Sequence, residues 1–160
     1  MVTPKKGDII RFQRKGYSHF AIYIGDGKVI HRTSPPDSLN VESASAAAAG
    51  QSKSAAAIIR IDDLKDVAGD ESEAQIANSL DDRKEPFDPE DIVKRAKSKL
   101  GEKGYNLFFK NCEHFVMWCR YGIEKSEQVD QLVDALKRGP LFIIDQLAEY
   151  QKTRREVGYF

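Results

Sequence analysis

His19, His31 and His114 are the only histidines in this 160-residue chain, and Cys112 and Cys119 the only cysteines. A thiol served by an imidazole is the general arrangement for acyl transfer. The imidazole removes the thiol proton, the sulfur attacks a carbonyl, and a third group holds the imidazole in place. Cys112 falls where a helix should begin, because Asn111 precedes an apolar-rich run that continues to Tyr121 and stops at Gly122. Unpaired backbone N–H groups and the helix dipole favour a thiolate there, so a lowered thiol pKa is expected. Cys119 lies about two turns further on and reads as a small core hydrophobe. The two sulfurs sit about 10 Å apart along a helix, whereas a disulfide needs alpha carbons within about 7 Å, so a reduced compartment is expected. His114 is about 200° round the helix from Cys112 and points away from it. Cys112 and His114 have no second pair at structural-zinc spacing, so no metal is expected.

Whether His19 and His31 can cooperate depends on the elements that carry them. Residues 19–24 (HFAIYI) and 28–31 (KVIH) flank Gly25-Asp26-Gly27, a β-hairpin signal. If Asp26-Gly27 alone forms the loop, Gly25 pairs with Lys28, Ile22 opposes His31, and the histidines face opposite ways. If all three residues form the loop, Ile24 pairs with Lys28, Ala21 opposes His31, and both histidines share a face as diagonal neighbours about 7–8 Å apart.

The remaining elements follow from pattern. Residues 8–12 and 58–61 read as strands, and 62–87 as acidic loop with one short strand near 74–80. Within that loop Asp62-Asp63 reads as solvated charge. Residues 41–57, rich in Ala and Ser, carry no apolar stripe and read as a mobile surface insertion. Asp88-Pro89 opens a helix to about residue 100. A further helix is expected over 126–137, where Val129, Leu132, Val133 and Leu136 form a stripe, and another from Pro140. Strands first and helices later describe an α+β domain with an antiparallel sheet. The expected division is a catalytic domain over 1–137 and a helical extension over 138–160.

Composition excludes several classes. Twenty-five basic and 25 acidic residues give a net charge of zero, unlike a general nucleic-acid binder. No apolar run approaches the roughly 20 residues of a membrane-spanning helix. The first residues lack the apolar stretch of a secretion signal.

The segment Asn111-Cys-Glu-His-Phe-Val116 resembles the signature of the lecithin:retinol acyltransferase-like superfamily. More narrowly, the chain resembles its phospholipase A and acyltransferase branch, the H-Ras-like suppressor family. Gly7-Asp8, the run from His19 through Gly27, and Val29-Ile-His31 match. So do Pro35-Pro36, Asp66-Val-Ala-Gly69, Cys119-Arg-Tyr-Gly122 and Ser126-Glu-Gln-Val129, so the resemblance spans roughly residues 5–130. It implies a circularly permuted papain-like fold of the NlpC type, with the antiparallel sheet packed against the nucleophile helix. It also implies a Cys-His-His triad: Cys112 as nucleophile, His19 as general base and His31 as its orienting partner. Tyr17 and Arg14 match pocket positions just before the base and are candidates to bind substrate or the oxyanion. Such a triad needs both histidines on one face, so the three-residue loop is expected, with the pair on the face that meets the start of the Cys112 helix.

Two departures stand out. Phe20 replaces the Trp that commonly follows the base, and residues 140–160 are too short and too charged for the apolar anchor that often ends such chains. The expected enzyme cleaves acyl esters of glycerophospholipids through a thioester on Cys112. It needs no cofactor, metal or nucleic acid, and it is cytoplasmic, touching membranes transiently as a peripheral protein. The competing readings are an NlpC-type peptidase or amidase and a non-catalytic interaction module.

Overall fold

A computed structural model describes residues 3–33, 57–70, 73–103 and 111–124, together with 132, 136 and 142–143. Six strands form one antiparallel sheet: β1 (Ile9–Arg14), β2 (Tyr17–Gly25), β3 (Lys28–Thr33), β4 (Ile58–Asp63), β5 (Glu73–Ile76) and β6 (Phe142–Ile143), in the spatial order β4-β3-β2-β1-β5-β6. Three α-helices have described bounds, α1 (Leu64–Ala68), α2 (Pro89–Lys97) and α3 (Cys112–Tyr121), and a 3-10 turn spans Ser79–Asp82. This is the expected α+β architecture with the sheet packed against α3.

Strand alternation sorts the core into two layers. On one face Ile9, Phe20, Ile22 and Ile30 pack against Ile92 and Ala96 of α2 and Phe115, Val116, Met117 and Cys119 of α3. On the other, Ile10, Phe12, Ala21, Tyr23 and Val29 pack against Leu64 and Ala68 of α1. The stretch expected to be mostly loop therefore supplies a short helix that covers the second face. Leu64 and Ala68, four residues apart, are its only buried positions, too few to show as a stripe.

The β2–β3 hairpin differs from expectation. Gly25 pairs with Lys28, so the loop is Asp26-Gly27, and both residues have positive φ (53° and 74°), as a type I′ turn requires. A bulge between Tyr23 and Gly25 then shifts the register, so that Tyr23 meets Val29 and Ile22 meets Ile30. Continuing that register aligns Ala21 with His31 and returns both histidines to one face. The turn is the shorter one, but the bulge supplies the extra residue.

Two clusters hold α3 against the rest. Arg120, buried at its C-terminal end, bonds both carboxylate oxygens of Asp81 (3.0 and 2.6 Å) and the Gly7 carbonyl (2.8 Å). Arg95 of α2 lies over the Trp118 ring, 3.9 Å from its centroid, and donates to the Trp118 carbonyl. From the helix expected over 126–137, Leu132 and Leu136 are described; both are helical and pack on the α3 side of the core. The helix expected from Pro140 gives way at Phe142–Ile143 to β6, which extends the sheet beyond β5. The rest of 138–160 and all but Ala57 of 41–57 lie outside the described residues.

Candidate active site

His19 of β2 and His31 of β3 meet side by side. His19 Nε2 lies 2.8 Å from His31 Nδ1, with the rings at 76°. Ala21, their neighbour on that face, is small enough to leave room for both rings. His31 Nε2 in turn lies 2.7 Å from Asp62 Oδ2, and Arg60 donates to the other Asp62 oxygen at 2.6 Å. Both imidazoles are buried.

Burial lowers the pKa of His19 well below the ordinary imidazole value, and a proton on His31 together with the charges of Arg14 and Arg32 would lower it further. Burial also lowers that of His31, although the bond to Asp62 pulls upward. Burial works to raise the Asp62 pKa, but His31 and Arg60 outweigh it and hold the carboxyl ionised. At neutral pH the cluster is two neutral rings and one carboxylate.

Cys112 opens α3, whose N-cap is Asn111; the Asn111 side chain accepts from the His114 N–H at 2.9 Å. The β2–β3 ladder goes no further than Ile22–Ile30 among the described residues, and the Phe20 backbone hydrogen-bonds the Cys112 sulfur. The thiol itself donates to Glu113 Oε2 at 3.5 Å. The expected lowering of its pKa is reversed. Burial, the Glu113 charge and the Glu113 hydrogen bond push it up to about 12, against the downward pull of Phe20 and Arg32. The N–H groups at the start of α3 favour an anion, but desolvation of this half-buried residue and the adjacent carboxylate outweigh them.

The histidines share a face, but it is the face of Phe12, Ala21 and Tyr23, not the one that α3 covers. Cys112 stands on the α3 side of the sheet, where its sulfur bonds the backbone of Phe20, the residue that follows His19. Among the described residues no hydrogen bond joins its sulfur to either imidazole. Arg32 links the two groups electrostatically, since its charge acts on both His19 and Cys112.

Arg14 and Tyr17 pair across β1 and β2 on the imidazole face, with Arg14 Nη1 3.4 Å from the Tyr17 hydroxyl and Nη2 2.6 Å from the Val67 carbonyl. They stand near the imidazoles, not at the sulfur. His114 is buried within α3, and Cys119 is fully buried in the core. Among the described residues no cluster of three or more His, Cys, Asp and Glu could hold a metal ion.

The sequence assigns neither Asp62 nor Arg32 a place in the site. Asp62 reads as loop charge there, yet it is a strand residue. Arg60 pairs with His31 and Asp62 with Val29, so Arg60 and Asp62 share the histidine face. The alternation of Arg60 and Asp62 with Ile59 and Ile61 was the available signal, had β4 been extended past Ile61.

Comparison with known proteins decides the family. The model of the family described as lecithin retinol acyltransferase matches residues 2–125. The chain belongs to that family. Among curated relatives, it is 39% identical to phospholipase A and acyltransferase 3 of Homo sapiens over 133 residues, 82% of this chain and 80% of the relative. It is 40% identical to phospholipase A and acyltransferase 2 of Homo sapiens over 127 residues, 79% and 76% of the two chains. It is 38% identical to phospholipase A and acyltransferase 1 of Homo sapiens over 136 residues, 84% and 78%.

Proposed function

We propose that this chain is a thiol phospholipase A and acyltransferase, with Cys112 as nucleophile, His19 as general base and His31 as its orienting partner. The observation that carries this reading is the buried His19–His31 pair, bonded at 2.8 Å, on the strand whose next residue bonds the Cys112 sulfur. The names of the relatives supply the substrate class: the acyl esters of glycerophospholipids.

The reaction begins when the Cys112 side chain turns from Glu113 toward His19, which accepts the thiol proton as the sulfur attacks the acyl carbonyl carbon. Collapse of the tetrahedral oxyanion breaks the ester C–O bond, and the His19 imidazolium returns the proton to the leaving lysophospholipid oxygen. Water, a lysophospholipid hydroxyl or an amine such as that of phosphatidylethanolamine then attacks the thioester, giving up its proton through His19, and the thiol is regenerated. The Cys112 backbone N–H at the start of α3 is the first candidate oxyanion donor. Tyr17 and Arg14, on the imidazole face, are further candidates to bind the substrate or the oxyanion. The site is assigned no metal or cofactor. The substrate is met by transient contact with a membrane surface from the cytoplasm, a setting that suits two free cysteines. Among the described residues no helix is long and apolar enough to cross a membrane.

Incubation with phosphatidylcholine followed by intact-protein mass spectrometry tests the reading. An acyl-sized adduct on Cys112, with release of lysophospholipid, is expected. Cys112→Ser and Cys112→Ala should lose both while folding normally, and Cys119→Ala should keep most activity. Turnover that survives Cys112→Ala, or an adduct on Cys119, overturns the assignment.

A further inference from the structure

The contact between His31 and Asp62 reaches beyond a pair of histidines. An ionised carboxylate only accepts hydrogen bonds, so the 2.7 Å contact with Asp62 requires His31 Nε2 to carry a hydrogen. A neutral His31 then has a bare Nδ1, which accepts across the 2.8 Å contact from His19 Nε2. His19 protonated on Nε2 has its lone pair on Nδ1. One carboxylate thus sets the tautomers of two rings in series, and it leaves the outer nitrogen of the first ring as the basic one.

We propose that Asp62 is a positioning residue for this reaction: through His31 it keeps His19 in the tautomer whose Nδ1 can take the Cys112 proton. This rests on the function proposed above. Arg60, bonded to the second Asp62 oxygen at 2.6 Å, holds the carboxylate in place. The charges acting on the rings beside it are cationic: Arg14 and Arg32 on His19, and Arg14 and Arg60 on His31.

The geometry makes Asp62→Asn a sharp test. The Arg60 guanidinium can only donate, so it claims the amide oxygen and turns the amide nitrogen toward His31 Nε2. That nitrogen must then accept, which moves the His31 hydrogen to Nδ1 and forces His19 to carry its own on Nδ1, where the base should be.

Long-range proton–nitrogen correlation spectra of the imidazoles read this without any lipid, and the three histidines are assigned by substitution one at a time. At pH 7.5 the wild-type protein should show His19 and His31 both protonated on Nε2, and Asp62→Asn should show both on Nδ1. Phosphatidylcholine turnover by Asp62→Asn should fall by about 100-fold or more, the scale of a wrong-tautomer defect. Asp62→Glu should recover most of it, and Asp63→Asn, which alters only a surface pair with Lys28, should match wild type. A wild-type His19 protonated on Nδ1 overturns the proposal with no variant needed. So does an Asp62→Asn protein with unchanged tautomers and turnover within about threefold. If wild type lacks phospholipid turnover, the function proposed above fails while the nitrogen spectra still decide the role of Asp62.

Discussion

The Cys112 thiol sits beside a carboxylate that opposes its ionisation. Glu113 accepts its hydrogen bond at 3.5 Å and, after burial, is the main reason its pKa stands at about 12. Exchanging that carboxylate for a neutral amide removes both the charge and the preferred acceptor, so Glu113→Gln should lower the thiol pKa, though burial keeps it above the ordinary value. In a Cys119→Ala background, the pH profile of iodoacetamide alkylation should move to lower pH with Glu113→Gln. A profile that stays put or moves upward would contradict this account of the sulfur. The residue types of the site were legible because histidine and cysteine are scarce and Cys112 follows a helix-capping Asn111. Of the sulfur's environment, Glu113 adjoins it in the sequence, whereas the residues that half-bury it are brought together only by the fold. Asp62 escaped for a related reason: two adjacent aspartates look alike in sequence, and only the register of β4 sends one to His31 and the other to a surface lysine.

At the scale of elements, the hairpin shows how a local irregularity decides whether two residues can act together. Without the bulge, pairing Gly25 with Lys28 would send His19 and His31 to opposite faces. The bulge ends at Gly25, whose φ of 100° suits glycine and whose added Cβ would meet the Lys6 side chain at 3.1 Å. Gly27 has φ of 74° and nothing within 4 Å of an added Cβ, a position that Asn tolerates. Gly25→Ala should therefore cost about 1–2 kcal/mol of stability and lower activity beyond that loss, because relief of the bulge misaligns the two histidines. Gly27→Asn should be nearly neutral in both. Urea midpoints with turnover rates check the contrast; equal effects at the two glycines would mean that the bulge does not set the register. The first five strands and their order along the chain were legible from apolar alternation and the Asp-Gly turn, whereas β6 falls where a helix was expected. The bulge was not, since the same Gly-Asp-Gly run serves either closure.

For the molecule as a whole, the buried groups confine stability to a window of pH. His19 and His31 are held below the ordinary imidazole pKa of about 6.5 when folded. As pH falls below that value the unfolded chain takes up protons that the folded one refuses, so stability is full above about 6.5 and declines beneath it. Asp62, whose folded pKa is lowered, gives up its own contribution further into acid, as pH falls from about 3.9 toward its folded value. On the alkaline side Cys112 and Cys119 are both raised. The unfolded thiols ionise above about 8.5 while the folded ones do not, so stability falls as pH rises past that point. Thermal unfolding from pH 5 to pH 10 should trace a plateau between these two limits, with Tm dropping on either side. Replacing both histidines with Asn should flatten the acid shoulder, because Asn does not titrate, at the cost of a lower plateau from two disrupted buried contacts. A Tm that rises as the wild-type protein is taken from pH 7 to pH 5 would mean that the imidazoles are charged in the folded state, and the neutral pair required of the base would be lost with it.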